Sequence, residues 1–299
     1  MKRTIISSFL FLFIVISFPS CASTNARTAI RDLENEGFTD ICVFPTKEKV
    51  WPDFFVTKYT YIESNGDGEI YLRDVITGDK KVILTIQPWN PKEDCIDVLS
   101  LKDNIMYFSI QHPRTIEIYK YMIETNITEL MRNIDFNKDI SVHFSYFDEK
   151  NKKVYVELWD DENIYCYDLL SNSQYTNKQP DYKELDNLYP ITIFNLDTGQ
   201  KELYYVEGYN NYFYCLPEYA KVKIEEGQYL TVNRCKRLVS ELCILDFKTN
   251  SSRLFRLKDF GYEITGLYQV NNDEYCFIVS CQNNSTVLCY FTRDMLESK

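Results

Sequence analysis

The stretch that decides the fold is Ile191–Leu203, which reads Ile-Thr-Ile-Phe-Asn-Leu-Asp-Thr-Gly-Gln-Lys-Glu-Leu. An apolar segment in partial alternation runs into Asp-Thr-Gly, and a polar segment follows. This order predicts a strand, a tight turn and a return strand, that is, a β-hairpin. Gly199 suits the turn because glycine adopts positive φ without steric cost. Variants of the phrase recur at Ile70–Leu84, Ile116–Leu130, Ile164–Tyr175 and Leu242–Leu254.

Each hairpin belongs to a longer unit of several short strands. Ser141–Ser171 contains three apolar runs separated by polar turns, and Leu99–Thr125 and Glu263–Asp294 repeat this order. Ile118–Tyr121 stands 46 residues before its counterpart Ile164–Tyr167. An internal period of about 40–50 residues, with roughly four strands per unit, is typical of a β-propeller blade.

We therefore expect an all-β protein with a single β-propeller, of six blades or else of five. The turn markers follow one another at intervals of 48, 46, 27 and 51 residues. The short interval indicates either an abbreviated blade or an insertion at Tyr182–Glu202. The markers themselves are Thr77, Thr125, Ser171, Thr198 and Thr249.

The last unit has no room for a fourth strand after Asp294, so its edge needs a partner. The N-terminal run Thr39–Phe44 is the natural candidate, and it would close the ring by pairing with Val287–Phe291. Ile41, Val43 and Phe44 are expected to become buried there.

One resemblance follows from the repeated phrase, written apolar-Tyr-x-x-Asp-Leu-x-Thr-Gly. It resembles repeats in bacterial TolB-like and YncE-like propeller proteins, and it is matched at Ile164–Ser171, Ile191–Leu203 and Leu242–Leu254. The resemblance spans most of residues 39–294 but lies in the repeats alone, so it implies the fold and little else. The copy at Ile118–Asn126 departs from the repeated phrase, because Met122 stands where Asp is usual.

The first twenty residues read as a targeting segment. Lys2 and Arg3 give a basic n-region, and Ile5–Phe18 is apolar, of signal-peptide length and short for a membrane span. The following Phe-Pro-Ser-Cys, which ends at Cys21, resembles a bacterial lipoprotein signal, in which the cysteine is lipidated and becomes the first residue. The alternatives are cleavage after Ala22, which gives a secreted soluble protein, and an uncleaved anchor.

These features divide the chain into a signal peptide (residues 1–20), a lipid-anchor tether with a short helix (21–38) and a β-propeller domain (39–299). Cys21 is the expected lipidation site. We expect an exported protein of the cell envelope, at the periplasmic face or the cell surface. The lipid would be its only link to a membrane.

Charge and cysteine usage limit the classes of partner. Loss of Lys2 and Arg3 lowers the basic residues from 33 to 31 against 44 acidic ones, a net charge of −13. Such a surface repels phosphate backbones, so we expect no nucleic-acid binding. Five of the ten cysteines, Cys166, Cys215, Cys243, Cys276 and Cys289, lie in apolar strand runs, which favours free buried thiols, with one or two disulfides as the alternative. No Cys or His spacing suits zinc, and we expect no cofactor.

One stretch places oxygen atoms in a metal-like pattern. Glu63, Asn65, Asp67 and Asp74 echo the spacing of a calcium loop. However, Glu63 occupies the first ligand position, where calcium loops usually have Asp, and the segment around Gly66 joins two strands. A hairpin turn explains it completely, so we expect no metal.

A second stretch is rich in tyrosine. Tyr205, Tyr209, Tyr212 and Tyr214 are candidates for stacking on sugars or on apolar groups of a partner. Packing between blades uses the same residues and is the competing explanation. The sequence contains no nucleophile-elbow, dinucleotide-binding or phosphate-loop motif, and its two histidines lie in or beside turns. We identify no catalytic residue.

The resulting hypothesis is a non-enzymatic, membrane-anchored lipoprotein whose propeller binds a protein or glycan partner in the cell envelope. The alternative is an extracytoplasmic propeller enzyme, a glycan hydrolase or lyase, with its site in the central channel. Histidine, arginine and carboxylates that converge at the channel would favour the enzyme. An aromatic or merely acidic opening would favour binding.

The anchor is directly testable. If Cys21 carries the lipid, Cys21→Ala moves the protein from the detergent-extracted membrane fraction to the soluble fraction, because a single cysteine provides the attachment. Fractionation followed by immunoblotting measures this. A wild-type protein that is already soluble and begins at Ser23 would contradict the assignment.

Overall fold

The computed structural model describes residues 26–159, 163–171, 173–178, 191–195, 199–204, 222–225, 228–236, 239–246, 248–249, 251–256, 263–281 and 283–297. Cys21 and the four candidate tyrosines, Tyr205, Tyr209, Tyr212 and Tyr214, lie outside these ranges. Within these ranges no helix is both long enough and apolar enough to cross a membrane.

Helix α1 (Ala26–Asn35) precedes the first strand. Gly37 ends it with φ of 84°. The N–H of Gly37 donates to the carbonyl of Glu34 at 2.9 Å, and the N–H of Phe38 donates to the carbonyl of Leu33 at 3.0 Å. This is a Schellman motif. It directs Phe38 into the same core as Leu33.

The described part of the chain forms five four-stranded antiparallel sheets and one two-stranded sheet. The first sheet contains β2 (Phe54–Thr57), β3 (Thr60–Ser64), β4 (Glu69–Asp74) and β5 (Lys80–Thr85). The second sheet contains β6 (Cys95–Lys102), β7 (Ile105–Gln111), β8 (Thr115–Met122) and β9 (Ile127–Asp135). The third sheet contains β10 (Val142–Asp148), β11 (Lys153–Leu158), β12 (Asn163–Asp168) and β13 (Gln174–Lys178).

The remaining strands complete the series. The two-stranded sheet is the hairpin β14 (Ile191–Asn195) and β15 (Gln200–Tyr204). The fourth sheet contains β16 (Val222–Glu225), β17 (Gln228–Lys236), β18 (Val239–Asp246) and β19 (Ser251–Arg256). The terminal sheet has the order β1 (Asp40–Val43), β22 (Thr286–Thr292), β21 (Glu274–Ser280) and β20 (Glu263–Gln269), and β22 is followed by helix α2 (Arg293–Glu297).

Apolar cores lie between four pairs of sheets in the part of the chain that the structure describes. The residues that represent these cores are Ile62 and Phe108 between the first and second sheets, Ile118 and Val154 between the second and third, Leu242 and Phe277 between the fourth and terminal, and Tyr61 and Cys276 between the terminal and first. Helix α1 covers the core between the fourth and terminal sheets through Ala29 and Leu33.

The strand edges show how the sheets are oriented. Strand β2 contacts β6 and β20, and β6 contacts β10. Each of these strands is the first of its unit along the repeats and lies at one edge of its sheet. The opposite edges β5, β9 and β13 are largely exposed. The inner edges therefore face a common axis and the outer edges face solvent, which is the arrangement of a β-propeller.

The aspartate of the repeated phrase has a structural role. Asp74 Oδ1 accepts hydrogen bonds from the N–H groups two and three residues further on, both at 2.8 Å. Asp168 makes the same pair at 2.8 Å and Asp246 at 2.9 and 3.1 Å. These bonds lower the pKa of Asp168 and Asp246. Where Met122 replaces the aspartate, the turn still closes, with Asn126 at φ of 55°.

The N-terminal strand supplies the fourth strand of the terminal sheet. Strand β1 pairs antiparallel with β22, so that Ile41 lies opposite Cys289 and Val43 opposite Val287. The pairing joins segments from the two ends of the domain. It satisfies backbone groups of β22 that the last unit cannot pair by itself.

Burial along this strand differs from the expectation. Phe44 is 2% exposed, whereas Val43 is 40% exposed and Ile41 is half-buried. The expected burial of Val43 is wrong because β1 forms the outer edge of its sheet, where one face remains open to solvent. Phe44 follows the strand and packs against the first sheet, with the Arg73 guanidinium 5.5 Å from its ring centroid.

Lys58 joins the first sheet to the terminal sheet. From the turn between β2 and β3 it forms ion pairs with Asp40 of β1 and Glu274 of β21. Its ammonium also lies 5.1 Å from the ring centroid of Tyr290. Burial acts to lower the pKa of Lys58, but the two carboxylates raise it above its ordinary value. The residue therefore stays charged between two sheets that are far apart in sequence.

A second junction joins the third sheet to the β14–β15 hairpin. Lys201 and Glu157 form an ion pair whose side chains are 2% and 4% exposed. The Asn177 side-chain amide donates to the carbonyl of Gly199 at 2.7 Å. Gly199 has φ of 65°, and an added Cβ would lie 2.5 Å from the Tyr155 ring. Glycine is therefore required at this position of the opening phrase for two reasons, its positive φ and the close approach of the Tyr155 ring.

Seven cysteines carry no disulfide in the structure, namely Cys42, Cys95, Cys166, Cys243, Cys276, Cys281 and Cys289. The expectation of buried strand thiols without disulfides is confirmed for Cys166, Cys243, Cys276 and Cys289. Burial raises the pKa of Cys281 to about 11, so this thiol behaves as a small apolar group. Cys215 lies outside the described residues.

The packing of Phe44 yields a stability prediction. Phe44→Ala lowers the free energy of unfolding by about 3–5 kcal/mol, because it opens a cavity between two sheets. Val43→Ala truncates an exposed side chain at the adjacent position. It therefore lowers the free energy of unfolding by less than about 1 kcal/mol. Urea unfolding of both variants measures the difference. Equal losses for the two variants would show that Phe44 is not a packing contact between the sheets.

Candidate functional site

A group of polar side chains lies on the inner strand edges. It consists of Asp53 just before β2, Asp97 on β6, Ser145 on β10 and Tyr268 on β20, and we call it the axial cluster. These residues belong to four sheets that are neighbours around the axis. All four side chains are half-buried. The charge of Asp53 acts to raise the pKa of Asp97 and of Tyr268, and the Ser145 hydroxyl acts to lower the pKa of Asp97.

Asp53 is held in place by the first sheet. Its N–H donates to the carbonyl of Ile62 at 2.8 Å, and its Oδ2 accepts the N–H of Ser64 at 2.7 Å. Burial raises the pKa of Asp53 to about 6, although Ser64 acts to lower it and Glu63 raises it further. The carboxylate is therefore partly protonated near neutral pH.

Asp97 interrupts the apolar sequence of β6. Burial raises the pKa of Asp97 to about 7, and the negative charge of Asp53 raises it further, while the Ser145 hydroxyl acts to lower it. The strand register places Ser109 of β7 directly opposite Asp97. Ile96 and Val98 point to the other face of the sheet and join the core shared with the first sheet.

Tyr268 brings an aromatic ring to the cluster from the terminal sheet. Its ring lies back over Gly266, where an added Cβ would meet ring atoms at 2.4 Å. The ring centroid is 5.7 Å from that of Phe55 on β2. Burial raises the pKa of Tyr268, and the Asp53 charge adds to this effect. Gly266 thus leaves room for the ring to lie along its own strand toward Asp53.

The cluster has the chemistry of an acidic opening. Two carboxylates and a phenol supply hydrogen-bond acceptors on half-buried residues, whereas the Ser145 Oγ is buried. Cys95 precedes Asp97 on the same strand and is exposed. Burial of its sulfur and the two carboxylates raise the pKa of Cys95, so it is a poor nucleophile at neutral pH.

The calcium-like residues do not converge. Glu63 Oε2 lies 3.3 Å from Arg73 Nε, and Asp74 accepts the backbone bonds of its own turn. Asn65 and Asp67 hydrogen-bond to each other at 2.8 Å within the hairpin. No group of three or more acidic, histidine or cysteine side chains among the described residues is placed to hold a metal ion.

Of the candidate residues named from the sequence, Glu63, Asn65, Asp67 and Asp74 are described and are not members of the axial cluster. Tyr205, Tyr209, Tyr212 and Tyr214, together with Cys21, lie outside the described residues. The described histidine side chain, His112, hydrogen-bonds to Asp94 through Nδ1 at 2.7 Å, which gives it a structural partner.

Sequence reasoning did not find the axial carboxylates. A signal was present for Asp97, because Cys-Ile-Asp-Val-Leu places one charge inside an otherwise apolar strand. Asp53 follows Pro52 at the start of another strand and reads as an ordinary turn residue. Their proximity depends on the packing of one sheet against the next, which no local pattern reveals.

Comparison with known proteins gives similarity in fold at low identity. No protein-family model and no curated protein matches the sequence. TolB from Acinetobacter baumannii is 11% identical over 79% of this chain and 64% of its own length, with a TM-score of 0.47. Sqt1 from Saccharomyces cerevisiae is 11% identical over 80% of this chain and 82% of its own, with a TM-score of 0.45.

A third similar structure is an oligogalacturonate lyase in complex with manganese. It is 6% identical over 81% of this chain and 77% of its own, with a TM-score of 0.47. The chain spans less than two thirds of the length of TolB. At these identities no correspondence between individual residues follows.

The raised pKa of Asp97 makes stability depend on pH. Below about pH 4 the carboxyl is protonated in both the folded and unfolded states. As the pH rises, the unfolded chain loses its proton near 3.8 and the folded protein only near 7, so stability falls across this window. At about 1.4 kcal/mol per pKa unit, Asp97→Asn stabilises the protein at pH 8 by on the order of 2–4 kcal/mol.

Urea unfolding at pH 4 and pH 8 measures this effect. The gain is expected to disappear at pH 4, and Asp79→Asn, which removes an exposed charge, serves as the control. An Asp97→Asn variant that is less stable than the wild type at pH 8 would show that the Asp97 charge is compensated in the fold.

Proposed function

We propose that this protein is an exported lipoprotein, anchored through Cys21, whose β-propeller binds a protein or glycan partner in the cell envelope. The proposal rests on one observation, the composition of the axial cluster. The Asp53 charge acts on Asp97 and on Tyr268 there, and no histidine, arginine or lysine of the described residues is among the groups that act on either carboxylate. An acidic, partly aromatic group to which the described residues add no histidine and no cation favours recognition over chemistry.

The architecture proposed for this function is a ring of six units closed by the N-terminal strand. Its support is that the terminal sheet takes its fourth strand from β1 and contacts the first sheet. The β14–β15 hairpin, which packs beside the third sheet through Lys201 and Glu157, represents the unit with the short sequence interval. An experimental structure with fewer than six units around the axis would overturn this count.

Glycan hydrolysis or elimination is the second candidate function. The observation in its favour is that Asp53 and Asp97 have pKa values of about 6 and about 7, a range suited to a general acid. Against it, burial raises both values, whereas acid–base pairs in such enzymes have values separated by their surroundings. Binding therefore remains the first proposal.

Affinity capture from the protein's own envelope extract separates the two. Wild-type protein is expected to retain a specific partner, and Asp53→Asn together with Asp97→Asn is expected to lose at least tenfold of it, because both acceptor charges are removed. Asp79→Asn removes one negative charge at an exposed site and is expected to retain the partner.

A screen of envelope glycans for turnover accompanies the capture. Turnover by the wild type that is abolished in Asp97→Asn, with no partner retained, would replace the binding function by the enzymatic one. Capture that is unchanged in the double variant would remove the axial cluster from the proposal.

A further inference from the structure

Helix α1 has one apolar face and one basic face. Ala29 and Leu33 are fully buried in the core between the fourth and terminal sheets. Arg27 and Arg31 are exposed, and because they are four residues apart their side chains are neighbours on the helix surface. The packing of the apolar face therefore fixes the helix with both arginines on its solvent side. We call these two residues the basic face of α1.

The protein neutralises the basic face only weakly. No ion pair or hydrogen bond joins Arg27 to another described residue. Arg31 is 70% exposed, and its Nε lies 3.7 Å from Oδ1 of Asp32, whose side chain is 5% exposed. An ion pair with so exposed a partner contributes little. The two guanidinium groups are therefore available to an anion outside the protein.

The charges of α1 oppose its own helix dipole. Acidic side chains near the N-terminus of a helix and basic ones near its C-terminus are stabilising. Helix α1 has no acidic residue in its first turn and no basic residue in its last turn, and it places Arg27 in the first and Glu34 in the last. Like charges four residues apart also repel each other. This arrangement is unfavourable in water, and a negative surface beside the first turn would compensate it.

Basic and acidic charge are separated along the chain. Residues 22–31 contain two arginines and no acidic residue. Four of the 33 basic residues precede Asp32, so residues 32–299 carry 29 basic against 44 acidic side chains, a net charge of −15. Asp32 itself is buried. An anionic surface thus attracts the start of α1 and repels the rest of the protein.

The tether between the expected lipid and α1 is short. Cys21 stands five residues before Ala26, the first residue of the helix. An extended chain spans at most about 3.6 Å per residue, so a lipid on Cys21 holds the start of α1 within about 18 Å of the membrane. Attraction of basic residues to anionic lipids falls off within a Debye length, about 8 Å at physiological ionic strength. The tether therefore lets Arg27 reach the headgroups.

We propose that the basic face of α1 binds anionic phospholipid headgroups of the membrane that holds the protein. The planar guanidinium groups of Arg27 and Arg31 suit phosphate, which they can bind through two N–H groups at once. Attraction at α1 and repulsion of the acidic remainder together orient the propeller, with α1 toward the membrane. This inference rests on the proposed anchoring at Cys21 and specifies how the anchored domain is held.

Hydrogen exchange, measured by mass spectrometry, tests the inference on the lipidated protein. The protein is reconstituted in vesicles of phosphatidylcholine and in vesicles of phosphatidylcholine mixed with phosphatidylglycerol. Amides of residues 30–35, which donate within the helix, are expected to exchange about fivefold more slowly on the anionic vesicles, because one basic side chain near an anionic surface shifts an equilibrium by about that factor. Equal exchange on the two kinds of vesicle would overturn the inference.

Salt provides a second readout. At about 1 M salt the Debye length falls to about 3 Å, so the difference between the vesicles is expected to disappear. A difference that persists at this ionic strength would mean that α1 responds to the packing of the lipids and not to their charge, which would contradict binding through the arginines.

Variants separate the basic face from the overall charge. Arg27→Gln combined with Arg31→Gln is expected to exchange at the same rate on both kinds of vesicle. Lys47→Gln combined with Lys81→Gln removes the same charge at exposed positions outside α1 and is expected to keep the difference. Circular dichroism verifies that each variant is folded. Loss of the difference in the lysine pair would mean that only net charge matters and would overturn the site.

A measurement in nonionic detergent excludes a merely structural role for Arg27. Without an anionic surface, Arg27→Gln is expected to slow exchange in α1, because a charge that opposes the helix dipole is removed. Faster exchange in this variant would show that Arg27 stabilises the protein itself and would contradict the proposal.

Failure of this inference is distinguishable from failure of the proposed function. The intact mass of the purified protein reports the lipid on Cys21. A lipidated protein with equal exchange on both kinds of vesicle would leave the anchor in place and overturn only the contact of α1. A protein without the lipid would overturn both, since a mature chain of net charge −13 without an anchor is repelled by an anionic surface. Partner capture at the axial cluster is measured separately.

Discussion

Each sheet of this protein has two apolar faces, and the need to bury both governs the rest of the structure. Strand β21 shows this most clearly. Phe277 belongs to the core shared with the fourth sheet, while its neighbours Cys276 and Ile278 belong to the core shared with the first sheet. A sheet of this kind is not stable alone, since both of its apolar faces would remain in water. Neighbours on both sides, arranged around an axis, satisfy the constraint.

Polar groups acquire their properties from the same arrangement. Between sheets, away from the axis, a charge is tolerated where an opposite charge is adjacent, as with Lys58 between Asp40 and Glu274 or Lys201 beside Glu157. At the axis the inner strands of the first, second, third and terminal sheets contact one another, β2 with β6 and β20, and β6 with β10. Carboxylates there are surrounded by protein yet keep contact with solvent. That combination raises their pKa values without excluding a ligand.

The sequence predicts the repeating unit because the unit depends on local physics. The hairpin phrase specifies strand alternation and a turn, and the aspartate at Asp74, Asp168 and Asp246 binds the backbone of its own turn. The strand that completes the terminal sheet is also predictable, since an unpaired edge and an unused apolar run are both visible in the sequence. The exposure of Val43 is not predictable in this way. It depends on which edge of the sheet faces outward.

The candidate site is harder to predict because its members share no local pattern. Asp53 and Asp97 belong to different sheets, and Ser145 and Tyr268 to two more. Each residue reads individually as a turn or strand residue, and only the packing of sheet edges brings them together. The one local signal, a carboxylate inside an apolar strand at Asp97, shows that something unusual occurs there but does not identify its partners.

The direction of the pKa shifts is what separates recognition from catalysis at this site. An acid–base pair needs one carboxyl protonated and the other ionised at the same pH, which requires surroundings that differ in charge or solvation. Asp53 and Asp97 are both shifted upward, and burial is the largest cause for each. Neither has a cation in the described structure that would keep it ionised. Two carboxyls shifted in the same direction by the same cause therefore favour recognition over a pair of residues with opposite catalytic roles.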